Sequence, residues 1–280
     1  MITTLSDKYP KVLCIGAFDP SNSTGLGMDL KTTHSLGAQA VSLATSVYLR
    51  KDGKVIDRMV FDADFVKKQI DSIGSFSQFD AIKVGDLVNS EIIDVVGDAI
   101  DEAEGQTKVV LDTVLFSSCK THVMDATSRS TLKRRILLRA DVVTPTVEEA
   151  KILSGIDIDD LDELKHLAET LMTLGPSSVV IRGTIVDESK IVDVVHIDGS
   201  DITFETETNV NKFRAKGLSA ALTAAIATEI AKGQNVVNSI HNARQFVSIA
   251  VEDLDNSAKV KEPQGVDPLY AMQRLYESGL

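Results

Sequence analysis

The chain predicts an α/β fold of three layers, a mainly parallel central sheet with helices on both faces, in one domain covering residues 1–280. Three observations carry this. Short apolar runs bounded by turn residues recur through most of the 280 residues. Most of these runs are followed by a stretch whose apolar residues repeat at helical spacing. Alternation of this kind implies right-handed β-α-β crossovers, and hence parallel strands covered on both sides.

In chain order, residues 11–17 (KVLCIGA) read as a buried first strand, and Asp19-Pro20-Ser21-Asn22-Ser23 as turn chemistry. Thr24-Gly25 opens a helix to Leu36, which Gly37 closes. Residues 40–48 are a second strand and 50–53 a turn. Asp62 or Asp64 caps a helix with Phe65, Val66, Ile70 and Ile73 inward. A strand at 79–85 ends at Asp86, and Ser90 starts a helix that buries Ile92, Val96 and Ile100. Residues 108–112 form a strand ending in a carboxylate; 113–130 read as a long loop with some helix, and 131–140 as a basic helix. The strand at 141–144 is stopped by Pro145, and Thr146 with Glu149 is a capping-box pattern opening the next helix. An amphipathic helix at 161–174 precedes a strand at 178–183, and Asp198-Gly199-Ser200 joins 191–196 to 202–207 as an edge hairpin. A long helix follows Gly217, another covers 236–251, and the polar tail 252–280 holds an amphipathic segment at 268–276 suited to docking or to a dimer contact.

A net charge of −12 argues against nucleic-acid and anionic-membrane partners, both of which need basic surface. Cys14 and Cys119 are too few for a disulfide framework and fit a reduced cytoplasm. Residues 1–10 carry no apolar targeting core, and no apolar run approaches the length of a membrane span. The five histidines show no metal-ligand spacing.

The stretch with most chemical content is 212–227. A glycine at a helix mouth admits close approach of a ligand to the backbone, and the free N–H groups and helix dipole there favour an anion. Arg214 and Lys216 add positive charge beside Gly217. The first strand ends in a polar loop that joins it to a helix, and such loops hold ligands in open α/β sheets, so Asp19 and Asp29 are each open to two readings, functional, or a turn-shaping Asp19 and a solvated Asp29. Asp112 is open to two readings, a residue on the Mg²⁺ side or a helix N-cap. Glu149 is likewise either structural or part of a site.

Read together, residues 16–31 (GAFDPSNSTGLGMDLK), 80–85 (DAIKVG), 109–112 (VVLD), 142–145 with Glu149, 180–183 (VIRG) and 217–227 (GLSAALTAAIA) resemble the ribokinase-like small-molecule kinases. The resemblance runs over about 11–251 and points to the hydroxymethylpyrimidine/phosphomethylpyrimidine kinase branch, with pyridoxal kinase nearby. It implies ATP-dependent phosphoryl transfer to a hydroxymethyl group with Mg²⁺, a small-molecule substrate and a homodimer. By this resemblance Gly217 and Ser219 belong to the anion hole, and Asp112 and Glu149 to the metal side. Arg182, Arg214 and Lys216 join Gly217 on the ATP-phosphate side, and Asp19, Gly25, Arg50 and Asp86 lie on the substrate side.

Several positions depart from the family pattern. Gly-Thr-Gly-Cys at the anion hole is Gly217-Leu218-Ser219-Ala220, so the base position holds alanine. Losing a general base costs roughly 10²–10⁴-fold in rate. A Gly-Gly in the first loop is Asn22-Ser23, the serine before the Asp is Phe18, and the asparagine of the metal motif is Thr146. The ring-reading glutamine falls near Arg50, and a methionine is replaced by Asp86. Three readings follow: a pyrimidine kinase with a shifted substrate (or a pyridoxal kinase-like enzyme), a non-catalytic paralogue binding a pyrimidine, a pyridoxal-like ring or a nucleotide, and a different ribokinase-like enzyme such as a sugar or nucleoside kinase.

Overall fold

Apolar residues spaced two apart along the buried strands send alternate side chains to opposite faces of the sheet, and this alternation sets the architecture of the computed structural model. The structure describes residues 8–51, 54–103, 105–115, 124–158, 160, 163–185, 190–207, 215–252 and 265–278. Strands β1 (Lys11–Phe18), β2 (Gln39–Lys51), β3 (Lys54–Val60), β4 (Ala81–Val84), β5 (Lys108–Leu111), β6 (Val142–Val143), β7 (Ser178–Ile185), β8 (Lys190–Ile197) and β9 (Ser200–Glu207) form one sheet. Its order is β3-β2-β1-β4-β5-β6-β7-β8-β9. The strands from β2 to β7 pair in parallel, and antiparallel β3 and β8–β9 close the two edges.

One core lies between the sheet and helices α2 (Ala63–Ile73), α3 (Ser90–Glu102), α4 (Ala126–Arg135), α5 (Val147–Ser154) and α6 (Leu164–Met172). It takes Leu13 and Ile15 of β1, Ile82 and Val84 of β4, and Val109 and Leu111 of β5. The opposite core takes Val12, Cys14, Ala81 and Val110, packed against α1 (Gly25–Ser35), α7 (Leu218–Ala231), α8 (Val236–Ala250) and α9 (Pro268–Ser278). Helix α7 is buried on every side from Ala220 to Ile230 because it is wedged between the sheet, α1 and α8. Small side chains at 220, 221, 224, 225 and 227 permit that close packing.

The three-layer expectation holds, with local corrections. Residues 50–51 belong to β2 rather than to a turn, and the chain returns as β3, so each edge of the sheet has a hairpin. Helix α4 starts at Ala126, capped by Asp125 accepting from Ser128 N–H, so the basic helix begins inside the stretch read as loop. It ends at Arg135, and a 3-10 turn covers Leu137–Arg139. Helix α3 starts at Ser90 as expected, capped by Asn89 accepting from Ile92 N–H. Residues 268–276 fall within α9, where Ala271 packs inward while Leu269 faces outward. Among the described residues no helix is long and apolar enough to cross a membrane.

Candidate active site

Four elements of the sheet and its crossovers converge at the mouth of α7. Gly217 caps the helix in the left-handed region (φ 85°), and no side chain caps the first turn. A β-carbon at Gly217 would fall on the Ser23 carbonyl oxygen and lie 2.8 Å from the Met28 methyl group, so only glycine lets the α7 mouth meet the β1–α1 loop. Ser219, in that first turn, donates its hydroxyl towards both Asp112 oxygens, at 2.8 Å each. Asp112 follows β5 and is buried. It caps no helix; Arg182 of β7 reaches it at 3.3 Å and lies 3.7 Å from Glu149. The Arg182 Nε also donates to the Thr144 carbonyl at 2.7 Å, which fixes the guanidinium plane.

Glu149 fills its structural reading and also lies beside Arg182. It completes the capping box with Thr146, and it accepts from Thr113 Oγ1 at 2.8 Å and from Leu115 N–H at 3.0 Å. Asp112, Glu149, Arg182, Gly217 and Ser219 are thus brought together as expected, whereas Ala220 presents only a methyl group, 6% exposed. Lys216 is held at the mouth through its backbone, its carbonyl accepting from Val266 N–H at 3.0 Å. Arg214 lies outside the described residues, as do Cys119 and His122.

From this mouth a cleft open to solvent extends along Arg182, Gly183, Asp193, Leu218, Ser219, Leu222, Arg244 and Val247. Asp193 and Arg244 escaped the sequence reading, since a lone Asp in a strand and a lone Arg on a helix carry no motif.

The other side of the mouth is organised by two carboxylates. Asp19 accepts from Ser21 N–H (3.0 Å), Ser21 Oγ (2.8 Å) and Thr24 Oγ1 (2.8 Å), and Arg50 Nε lies 2.8 Å away, off line for a hydrogen bond. Burial alone raises its pKa; the bonds from Thr24 and Ser21 and the Arg50 charge outweigh it and hold the carboxyl below its ordinary value. Asp86 accepts from Tyr48 Oη at 2.6 Å, Arg58 Nη2 at 2.5 Å and Val88 N–H at 3.0 Å. Tyr48 lies between two guanidinium groups, those of Arg50 and Arg58, at 5.6 and 5.1 Å from its ring centre. Burial and the neighbouring Asp86 push the phenol pKa up, so Tyr48 stays a donor. Arg58 and Tyr48 were missed because β3 was missed; the two face each other in the β2–β3 register. Gly25 contributes backbone shape: its φ is 56°, and a β-carbon there would strike the Ala17 carbonyl.

Asp29 is not solvated. It is buried, and it pairs with buried Lys83 at 3.0 Å beneath the strand ends, where desolvation raises its carboxyl despite that partner. His196 pairs with Asp201 at 2.7 Å across the β8–β9 hairpin. Spacing in sequence did not reveal that Glu169 comes near them, bringing donor atoms of all three within 4.8 Å of one another.

The family model for phosphomethylpyrimidine kinase matches residues 19–267. The chain belongs to the phosphomethylpyrimidine kinase family. A hydroxymethylpyrimidine/phosphomethylpyrimidine kinase of Bacillus subtilis is 30% identical over 243 residues, 87% of this chain and 89% of that one. A probable thiamine biosynthetic bifunctional enzyme of rice (Oryza sativa) is 26% identical over 258 residues, 92% of this chain; the chain spans about half of that relative's length, 47%. The crystal structure of an ADP complex of Bacillus subtilis pyridoxal kinase superposes with a TM-score of 0.80 at 27% identity, covering 95% of this chain and 99% of that one. The kinase reading and the ribokinase-like fold are therefore borne out at the level of the family.

Proposed function

We propose that the protein moves the terminal phosphoryl group of ATP to the hydroxymethyl group of hydroxymethylpyrimidine or its monophosphate. The observation that carries this is the Arg182–Asp112–Ser219 network at the uncapped mouth of α7, which opens into a solvent-facing cleft. Phosphoryl transfer asks mainly for positioning and charge neutralisation. Arg182 supplies a fixed cation, and the mouth of α7 supplies N–H groups and the positive end of its dipole. Lys216 adds charge at the same end. The leaving ADP occupies the cleft.

Asp112 and Glu149 fit Mg²⁺. They are hard oxygen donors and only two in number, which suits an ion that keeps most of its positions for phosphate oxygens and water. Arg182 stands between them, so Asp112 is the direct donor in this reading and Glu149 holds the frame through Thr113 and Thr146. When bound, the ion neutralises charge on the phosphates.

On the ring side, the Asp19–Arg50 and Asp86–Arg58 pairs and Tyr48 surround the substrate, and Gly25 shapes the loop behind it. A neutral amide and a thioether are replaced by charged groups, which favours a ring carrying complementary charge. The pyridoxal-like alternative rests on that same observation. Ala220 offers no proton acceptor, so the substrate hydroxyl proton leaves to a phosphate oxygen or to water, and turnover runs roughly 10²–10⁴-fold below that of a base-bearing site. The non-catalytic reading rests on this residue. A cytoplasmic homodimer completes the proposal. The β2–β3 edge, where Leu49, Ile56, Met59 and Val60 are exposed, is the surface suited to a second copy, and sedimentation at micromolar concentration tests it.

The decisive experiment is mass-spectrometric detection of product after incubation with Mg-ATP and hydroxymethylpyrimidine, its monophosphate or pyridoxal. Ala220→Cys is run in parallel. Slow turnover by the unmodified protein and faster turnover by Ala220→Cys are expected. Silence from both, with ring or nucleotide binding intact, leaves a binding protein.

A further inference from the structure

The cleft that leaves the α7 mouth has a charged wall that phosphoryl transfer does not explain. Asp193 of β8 and Arg244 of α8 form an ion pair there, with side chains only 7% and 12% exposed. The second Asp193 oxygen accepts from Gly183 N–H at 2.5 Å. The Arg244 guanidinium lies over the Phe204 ring, 5.0 Å from its centre. Burial lowers the Arg244 pKa to about 10, so the pair is charged at neutral pH.

A buried pair of this kind is weak evidence of stabilisation, because well-packed apolar residues of the same volume often serve as well or better. Its location decides between a structural and a functional reading, since Asp193 and Arg244 both line the cleft. A carboxylate in a cleft for a polyanion repels phosphate and accepts only from donors. Any ligand group beside it therefore carries N–H or O–H bonds and no negative charge.

The order along β7 narrows the choice. Arg182 sits at the phosphate end, and the very next residue, Gly183, holds Asp193. In a nucleotide the group next to the phosphates is the sugar. Leu218, Leu222 and Val247 supply the apolar lining suited to the flat face of a base.

Resting on the nucleotide reading above, we propose that Asp193, held in place by Arg244 and Gly183, accepts hydrogen bonds from the sugar hydroxyls of the nucleotide and makes the site selective for ribonucleotides. Arg244 is then a positioning residue: it neutralises the carboxylate from behind and fixes its direction, with Phe204 bracing the guanidinium. The phosphate end is indifferent to the sugar, so selection resides in this one carboxylate.

Titration calorimetry with Mg²⁺ and ADP, 2′-deoxy-ADP, 3′-deoxy-ADP or inorganic tripolyphosphate tests it. A hydrogen bond to a charged acceptor is worth about ten-fold or more in affinity. The unmodified protein is therefore expected to bind at least one deoxy analogue about ten-fold more weakly than ADP. Removing one partner alone strands a buried charge, so the variant is the double change Asp193→Leu with Arg244→Met, which replaces the pair by apolar groups. It is expected to bind ADP and its deoxy analogues within about two-fold of one another while keeping the affinity for tripolyphosphate. Equal binding of ADP and both analogues by the unmodified protein overturns the sugar assignment and leaves the nucleotide site standing. Discrimination that persists in the double variant overturns it too. Binding of neither ADP nor tripolyphosphate overturns the nucleotide reading and this one together.

Discussion

Asp112 and Asp19 are both closed off from water and both face a guanidinium, yet the two halves of the site rest on different foundations. On the side proposed for the phosphates, Asp112 follows β5, Glu149 lies in α5, Arg182 on β7 and Ser219 in the first turn of α7, elements locked into the sheet or one of its two cores. On the ring side the carboxylates belong to the central strand ends, but their partners Arg50, Arg58 and Tyr48 come from the β2–β3 hairpin at the edge of the sheet. That hairpin presents Ile56 and Met59 outward, 57% and 68% exposed, and is held by its ladder with β2 more than by burial. The phosphates are the same for every substrate, and the ring is not. The group that must be positioned without error sits on rigid elements, and the group that changes between relatives meets the part of the fold most tolerant of change.

The comparison breaks most visibly if the two halves cannot be separated by substitution. Asp112→Asn keeps the shape of the side chain and its bond to Ser219 but removes the charge. Turnover is expected to fall by about 10²–10³-fold, the cost of losing one group that stabilises transferring charge. Ring affinity, read by calorimetry in the absence of nucleotide, is expected to stay within about two-fold. An equal loss of ring affinity would mean that Asp112 organises both sides.

Arg58→Leu probes the other half with a smaller effect. It removes one of three donors to Asp86 and leaves Tyr48 and Val88 N–H in place. The KM for the ring substrate is expected to rise by about ten-fold, in line with a hydrogen bond between charged partners, with the KM for ATP unchanged. A parallel rise in both constants would show that the edge hairpin braces the α7 mouth. The route for such coupling exists, since Gly217 packs against the Ser23 carbonyl.

The same contrast explains what could be read from the residues alone. On the phosphate side the local pattern offered Asp112 at the end of a buried strand, Glu149 in a capping box and Gly217 at a helix mouth, because strand ends and caps carry the strongest local signals, whereas Arg182 and Ser219 came only from the family resemblance. The capping box at Thr146 and Glu149 is an example: the local rule placed the side chain before its contacts with Thr113 and Arg182 were known. The edge hairpin left no such trace. In residues 54–60 (KVIDRMV) apolar side chains fall on both faces, and several remain in water, so neither a two-residue nor a helical period emerges. With β3 unseen, Arg58 had no address. Asp29 and Lys83 escaped for another reason. Each sits in a stretch that reads correctly as helix or strand, but that their charges meet at 3.0 Å beneath the strand ends depends on how α1 crosses β4, which no local pattern encodes.

The smallest expected effect concerns Asp19, whose charge ties Arg50 to the first loop. Its carboxyl is held below the ordinary 3.8 because the bonds from Thr24 and Ser21 and the Arg50 charge outweigh burial. A depressed folded-state pKa means that the ionised form is favoured more in the folded chain than in the unfolded one. The resulting stabilisation is present above about pH 4, begins to fade near 3.8 where the unfolded chain takes up its proton, and is lost as pH falls through the folded-state value. Asparagine at this position keeps a side-chain acceptor for Ser21 and Thr24 but cannot titrate. Urea midpoints measured from pH 6 down to pH 2.5 should therefore show the unmodified protein more stable than Asp19→Asn at the upper end, with the gap closing on the acid side. Two profiles that stay parallel would mean that the loop is held by its hydroxyl and amide bonds, with the Arg50 charge incidental. In that case the ring side would owe its shape to the same kind of local backbone frame that Thr146 and Glu149 build on the phosphate side, and the difference in foundation would narrow to the Asp86–Arg58 pair.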